Sequence, residues 1–245
     1  MAAVAALTRR AVRGSASRHI SVAGLQGMWP SAPQLRGLST AKDTDKPSIK
    51  RQQFASGTKP EAENLLKPVL KWLGFYSEES KMIRSSHRLY LAARSQARKP
   101  EFRKHFGMEE SFENEFCLES LHVWMILVRL RREGAECKQL QQDVFDNFWD
   151  DKQKQMFSMG VQSFALNTRT RELQSIFYGI AVSFDYGLGS SDALLGSAMY
   201  RNLFVGEARA VHVNQMVAYV RRELQKLDDM DKALFLSGQW QFGNP

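Results

Sequence analysis

Apolar residues in this chain recur at helical spacing. The clearest case is ARAVHVNQMVAYVRRELQKLDDM, residues 208–230. It places Val213, Val217, Val220, Leu224 and Leu227 at i, i+4, i+7, i+11 and i+14, one stripe of a helix with 3.6 residues per turn. A second segment, SFENEFCLESLHVWMILVRLRREG, carries Phe112, Phe116, Val123 and Leu127 on one side and Leu121, Trp124, Met125 and Val128 on the other. Apolar nearly all round after Leu121, it predicts a central buried helix, with Ser111 or Asn114 as N-cap and Gly134 beyond a basic last turn. Before it, Met82, Ser86, Leu89, Ala93 and Ala97 share one face, with Ile83 and Tyr90 beside them, and Lys81, Arg84 and Arg88 lie opposite. That is an amphipathic helix, expected to end at Pro100.

Four further helices are expected. One spans AECKQLQQDVFDNFWDDKQKQMFSMG, with Leu140, Val144, Phe145 and Phe148 inward and Gly160 as its stop. A long one covers SFALNTRTRELQSIFYGIAVSFDYGLG, and another opens at Ser190 or Ser191. Nearer the N-terminus, residues 60–73 read as a short helix stopped by Gly74 and interrupted by Pro68. A short turn, DKALFLSG, precedes a tail that Trp240 packs down. No stretch alternates as a half-buried strand does, and no repeat is visible. The predicted class is all-α: a single globular multi-helix domain after a cleavable leader and a disordered linker.

Charge changes the picture at the N-terminus. Residues 1–42 hold Arg9, Arg10, Arg13, Arg18, Arg36 and Lys42 and no Asp or Glu; Asp43 is the first acid. An Arg-rich, Ser-containing, acid-free start has the composition of a mitochondrial transit peptide. Val4, Leu7, Ala11 and Val12 cluster on one side of a short helix there, and a positive segment is drawn by a negative matrix potential at about 2.3 kcal/mol per charge per 100 mV. RGLST places an Arg three residues before a cut after Leu38. The expected organisation is a transit peptide over 1–38, a flexible polar linker over 39–58 and a helical domain over 59–245.

The formal charge of +8 is unevenly spread. Residues 42–104 hold 15 Lys or Arg against 7 Asp or Glu, and residues 105–245 hold 14 against 19. A basic N-terminal half suggests contact with a polyanion or an anionic membrane on one side only. Lys81, Arg84 and Arg88 are the candidate ribosome, RNA or membrane contact; the competing reading is a solvated face. No aromatic interleaving of the kind that stacks unpaired bases accompanies them. The longest apolar run, Leu121–Val128, is far short of the roughly 20 residues of a membrane span.

Candidate chemistry is sparse. The chain has no Gly-rich phosphate loop and no Gly-x-Ser-x-Gly, and Cys117 and Cys137 fit no zinc spacing, reading as small buried side chains. Glu115, Glu119 and His122 share a helix face, and Glu119-x-x-His122 has the spacing of di-iron bundles. Such sites need that motif twice, and His19, His87, His105 and His212 do not supply it. The expectation is a His122 holding polar contacts at the edge of the core, with the Glu pair solvated or paired to Arg. Asp143, Asp146, Asp150 and Asp151 read as the outer face of their helix. No cofactor and no catalytic residue is predicted.

Six words occur in order: LHVWMILVRL, VFDNFWDD, MGV, FYG, YVRRELQKLD and LSGQWQFG. With the leader before them, the chain from about Leu65 to Phe242 resembles the ubiquinol–cytochrome c chaperone family. The resemblance implies a helical, non-enzymatic protein of the mitochondrial matrix, held peripherally at the inner membrane. Implied partners are a small helical complex III assembly factor, the mitochondrial ribosome and newly made cytochrome b. Two rival classes are a helical metal- or lipid-binding enzyme of quinone metabolism, separable by bound iron, and a general RNA-binding translation factor, separable by steeply salt-dependent RNA affinity.

Overall fold

The computed structural model describes residues 78–245; the leader, the linker and the helix expected over 60–73 lie outside them. The residues from Ile83 onward form one compact unit, and the first turn of the first described helix belongs to another. Every regular element among the described residues is a helix: α1 (Glu78–Ala97), α2 (Pro100–His105), α3 (Phe112–Arg132), a 3-10 turn (Ala135–Cys137), α4 (Lys138–Ser158), α5 (Ser163–Ser190), α6 (Asp192–Asn202), α7 (Ala210–Asp229) and α8 (Lys232–Ser237). None of them is long and apolar enough to cross a membrane.

Local chemistry explains the boundaries. The Ser111 hydroxyl accepts from the Asn114 backbone N–H at 3.1 Å, so Ser111 caps α3, and Asn114 turns inward to donate to Glu109 O instead. Ser191 caps α6 and Asp231 caps α8 in the same way. As expected, α1 ends just before Pro100, at Ala97; Pro100 itself takes the first position of α2, where its missing N–H costs no hydrogen bond.

α3 is the spine, as expected. Trp124, Met125, Ile126 and Leu127 have no exposed surface, and α3 packs against α4, α5 and α7. Trp124 meets Phe184 edge-on at 5.2 Å and donates its indole N–H to Asp185, which also receives both guanidinium arms of Arg131. From α4, Leu140, Val144, Phe145 and Phe148 all point inward. α7 buries Val213, Val217, Val220 and Leu227 but leaves Leu224 half-covered. Ile83 departs from its predicted face and is 57% exposed. Both cysteines are buried thiols, and burial raises the pKa of Cys137.

The tail is strapped to the body. Trp240 stacks on Phe235 and donates to its carbonyl, while Phe242 is the buried anchor, edge-on to His122 at 4.9 Å. Gly238 makes this approach possible. Its φ is +64°, and a Cβ there would fall 2.5 Å from Cβ of Arg88.

Candidate functional site

Where the tail crosses α1 it leaves a groove of about 490 Å³, lined among others by Arg88, Leu91, Arg94, Arg98 and Trp240. Helical spacing produces this wall. Arg84, Arg88 and Leu91 run along α1 at i, i+4 and i+7, and Arg94 and Arg98 continue the surface at the next two turns. Of the predicted contact residues, Arg88 lines the groove and reaches Ser237 O at 3.4 Å; Lys81 is exposed and Arg84 half-buried on the same helix.

Beneath Arg94 and Arg98 lies a web of alternating charges from three helices. Arg98 donates its Nε to Glu115 at 2.7 Å and brings its outer nitrogen within 2.6 Å of the same carboxylate. Its Nε also lies 3.3 Å from Glu119 Oε1, an oxygen with no hydrogen bond of its own. Lys152, with no exposed surface, reaches Glu119 Oε2 at 2.7 Å and Gln155 at 2.8 Å. Asp151 completes the web, 3.2 Å from Arg94, and accepts the Tyr90 hydroxyl at 2.8 Å. The three cations Arg94, Arg98 and Lys152 thus balance the three carboxylates Glu115, Glu119 and Asp151. Burial raises Glu119 above the ordinary carboxylate range against the pull of Lys152 and Arg98. Glu115, less covered, is also pushed upward by burial, but Lys152 and Arg98 outweigh this and leave it lowered. Burial first, then Glu119 and Asp151, holds the Tyr90 phenol well above its usual pKa.

His122 is drawn elsewhere. Its Nδ1 lies 2.7 Å from Leu118 O and its Nε2 2.9 Å from the Tyr219 hydroxyl, amid the rings of Phe102, Tyr219 and Phe242. The carbonyl requires the proton on Nδ1, so Nε2 accepts from Tyr219, whose oxygen in turn receives Gln96 Nε2 at 3.2 Å. Burial pushes His122 down to about 4. The expectation of a His at the edge of the core is therefore corrected: His122 is fully buried and neutral. The i, i+3 pair divides between two neighbourhoods, and among the described residues no three of His, Cys, Asp and Glu converge as a metal would need. Asp151 is corrected too, from a solvated outer face to a member of the web, while Asp150 stays exposed.

Arg94, Arg98, Lys152, Tyr219 and Gln96 escaped the sequence reading, which places Tyr90 only beside the apolar face of its helix. A signal for one was present: Lys152 continues the stripe Val144, Phe148, Lys152, Met156 at steps of four, and a lysine on a buried stripe requires a buried carboxylate.

The web is a positioning device: most of its donors and acceptors pair with one another, Glu119 Oε1 and Arg94 Nε are left without a hydrogen bond, and of its members Arg94 and Arg98 turn toward the groove. Fold and site together define an all-helical protein with a basic groove on its surface. The chain belongs to the ubiquinol-cytochrome C chaperone family, whose model matches residues 104–242. It is 32% identical over 143 residues to ubiquinol-cytochrome-c reductase complex assembly factor 1 of Xenopus laevis, covering 57% of this chain and 70% of that one. The protein of that name from Homo sapiens is 29% identical over 211 residues, covering 83% of this chain and 67% of its own. Protein CBP3, mitochondrial, of Saccharomyces cerevisiae is 26% identical over 149 residues, covering 59% and 44%. The fold matches the crystal structure of the Cbp3 homolog from Brucella abortus with a TM-score of 0.61 and 21% identity, over 70% of this chain and 96% of that one.

Proposed function

We propose that this protein is an assembly chaperone for mitochondrial ubiquinol–cytochrome c reductase, acting without turnover. It holds newly made cytochrome b on the matrix side of the inner membrane. The observation that carries the reading is the family match over residues 104–242, reinforced by relatives named as assembly factors of that complex. The basic face of α1 supports the partner side of the proposal. Lys81, Arg84 and Arg88 would meet an acidic or phosphate-bearing surface, whether the small helical assembly partner or the mitochondrial ribosome, and residues 1–38 would be removed on import.

Affinity capture from mitochondria after a brief label of organellar translation tests the client. Labelled cytochrome b should be retained; its absence, with other translation products present, overturns the assignment. Reversing Lys81, Arg84 and Arg88 to Glu should leave melting unchanged and weaken ribosome co-sedimentation most at low salt, where such contacts are least screened. Unchanged co-sedimentation at low salt would remove these residues from the ribosome contact.

A further inference from the structure

The corner between α4 and α5 turns apolar side chains toward water. Phe164 is 82% exposed, Phe157 61% and Met159 40%. The corner holds this shape by design of its backbone. Gly160, with φ +87°, lets its N–H return to Phe157 O at 3.0 Å while Val161 N–H returns to Met156 O at 3.0 Å. This is the paired closure that ends helices at a left-handed glycine, and Val161 and Met156, the two positions it joins, are both buried. With Val161 pinned inward, Phe157 and Met159 are left outward on a fixed turn.

The stretch of chain that forms the corner carries charge of one sign. No Asp or Glu occurs from Lys152 to Arg171. Lys154 stands one turn before Phe157, and Arg171 lies two turns after Phe164 on the same helix stripe, exposed. The nearest acids in sequence are Asp151, 3.2 Å from Arg94 in the web, and Glu172, 2.7 Å from Arg169; Asp150 lies 3.7 Å from Lys154. Aromatic rings at a rigid tip with long cationic side chains behind them match an interface with apolar chains beneath and anionic headgroups above. A protein partner would also accept rings, but the absence of acids from residues 152 to 171 favours a surface that is anionic everywhere.

We infer that the α4–α5 corner is a membrane-docking surface, seating Phe157, Met159 and Phe164 among the acyl chains of an anionic bilayer while Lys154 and Arg171 meet its headgroups. This deepens the proposed placement at the inner membrane and rests on it.

The test uses the full chain with an environment-sensitive dye on Gln162→Cys, an exposed position; Cys117 and Cys137 are buried and do not compete for label. With vesicles of phosphatidylcholine and phosphatidylglycerol the emission should shift to the blue. With phosphatidylcholine alone the shift should need much more lipid. Phe157→Ser with Phe164→Ser should weaken the response roughly tenfold or more while leaving melting unchanged. Lys154→Gln with Arg171→Gln should abolish the preference for phosphatidylglycerol, each charge accounting for roughly five-fold. A chain that pellets with vesicles while emission at position 162 stays constant overturns the corner and leaves the membrane reading standing. Failure to pellet on any vesicle overturns both. A blue shift that grows with protein concentration in the absence of lipid assigns the corner to a second copy instead.

Discussion

Glu119 and His122 stand one turn apart on α3, both without exposed surface, and their surroundings solve opposite problems. Glu119 is surrounded by charge: Lys152 at 2.7 Å, Arg98 at 3.3 Å and the Tyr90 hydroxyl at 3.4 Å. His122 is surrounded by rings, with one carbonyl and one phenol to satisfy its two nitrogens. The first neighbourhood tolerates burial by balancing ions, the second by abolishing the ion. A motif that suggests one metal site divides between two neighbourhoods that tie α3 to different partners, α1 and α4 on one side and α2, α7 and the tail on the other.

The largest effect should come from unbalancing the ionic side. Lys152→Met leaves Glu119 buried with fewer counter-charges, a loss of about 3–5 kcal/mol by urea unfolding. Adding Glu119→Leu removes the stranded charge and leaves two cations facing two carboxylates, so the double variant should recover most of the loss. Strictly additive losses would show that Lys152 and Glu119 are not energetically coupled.

The neutral side should reveal itself by pH. With His122 at about 4 in the folded chain and near 6.5 unfolded, the unfolded state binds the extra proton between these values. Stability from this group is complete above pH 6.5 and declines as pH falls toward 4, by about 3 kcal/mol in all. Protonation puts a second N–H at Nε2, facing a Tyr219 hydroxyl that already donates there, and Lys99 opposes the added charge. His122→Gln should flatten the decline between pH 6.5 and 5, a window above most carboxylate titrations. A variant with the parental slope would place the titration elsewhere.

Much of this fold is legible as pattern, because stripes such as Val213–Val217–Val220 and caps such as Ser111 depend on neighbours within a few positions. The expected short turn at DKALFLSG is the helix α8 for the same local reason, the Asp231 cap. What could not be read joins distant positions. Arg98 meets Glu115 and Glu119 only because α1 and α3 pack together, and nothing in the spacing of either helix names the other. The neutrality of His122 depends on Tyr219, 97 positions away. Exposure at the α4–α5 corner is within reach of the pattern: Phe164 shares its stripe with Asn167, Thr168 and Arg171, and Phe157 lies off the buried stripe through Phe148 and Met156, but residue type alone marks both as apolar.

The smallest contrast uses one residue type in both neighbourhoods. Gln155 sits half-exposed at the rim of the web, donating to Glu115 at 3.2 Å and accepting from Lys152 at 2.8 Å. Gln96 is buried and donates to Tyr219 and to Gly243 O at 2.7 Å, tying α1 to α7 and the tail. Water can replace the Gln155 amide, so Gln155→Ala should cost about 1 kcal/mol or less. Gln96→Ala strands a buried phenol oxygen and a carbonyl where water has little access, so about 1–3 kcal/mol is expected. The tail should loosen with it, because the remaining polar ties near its end, Gly243 N–H to Glu223 at 2.8 Å and Arg222 to Asn244 O, no longer reach α1. Amide exchange at Gly243 should therefore quicken in Gln96→Ala and stay unchanged in Gln155→Ala. Equal exchange in the two variants would mean that Phe242 and the ties to α7 anchor the tail without Gln96, and that the polar chain from Gln96 through Tyr219 to His122 serves to keep the imidazole neutral, not to hold the C-terminus.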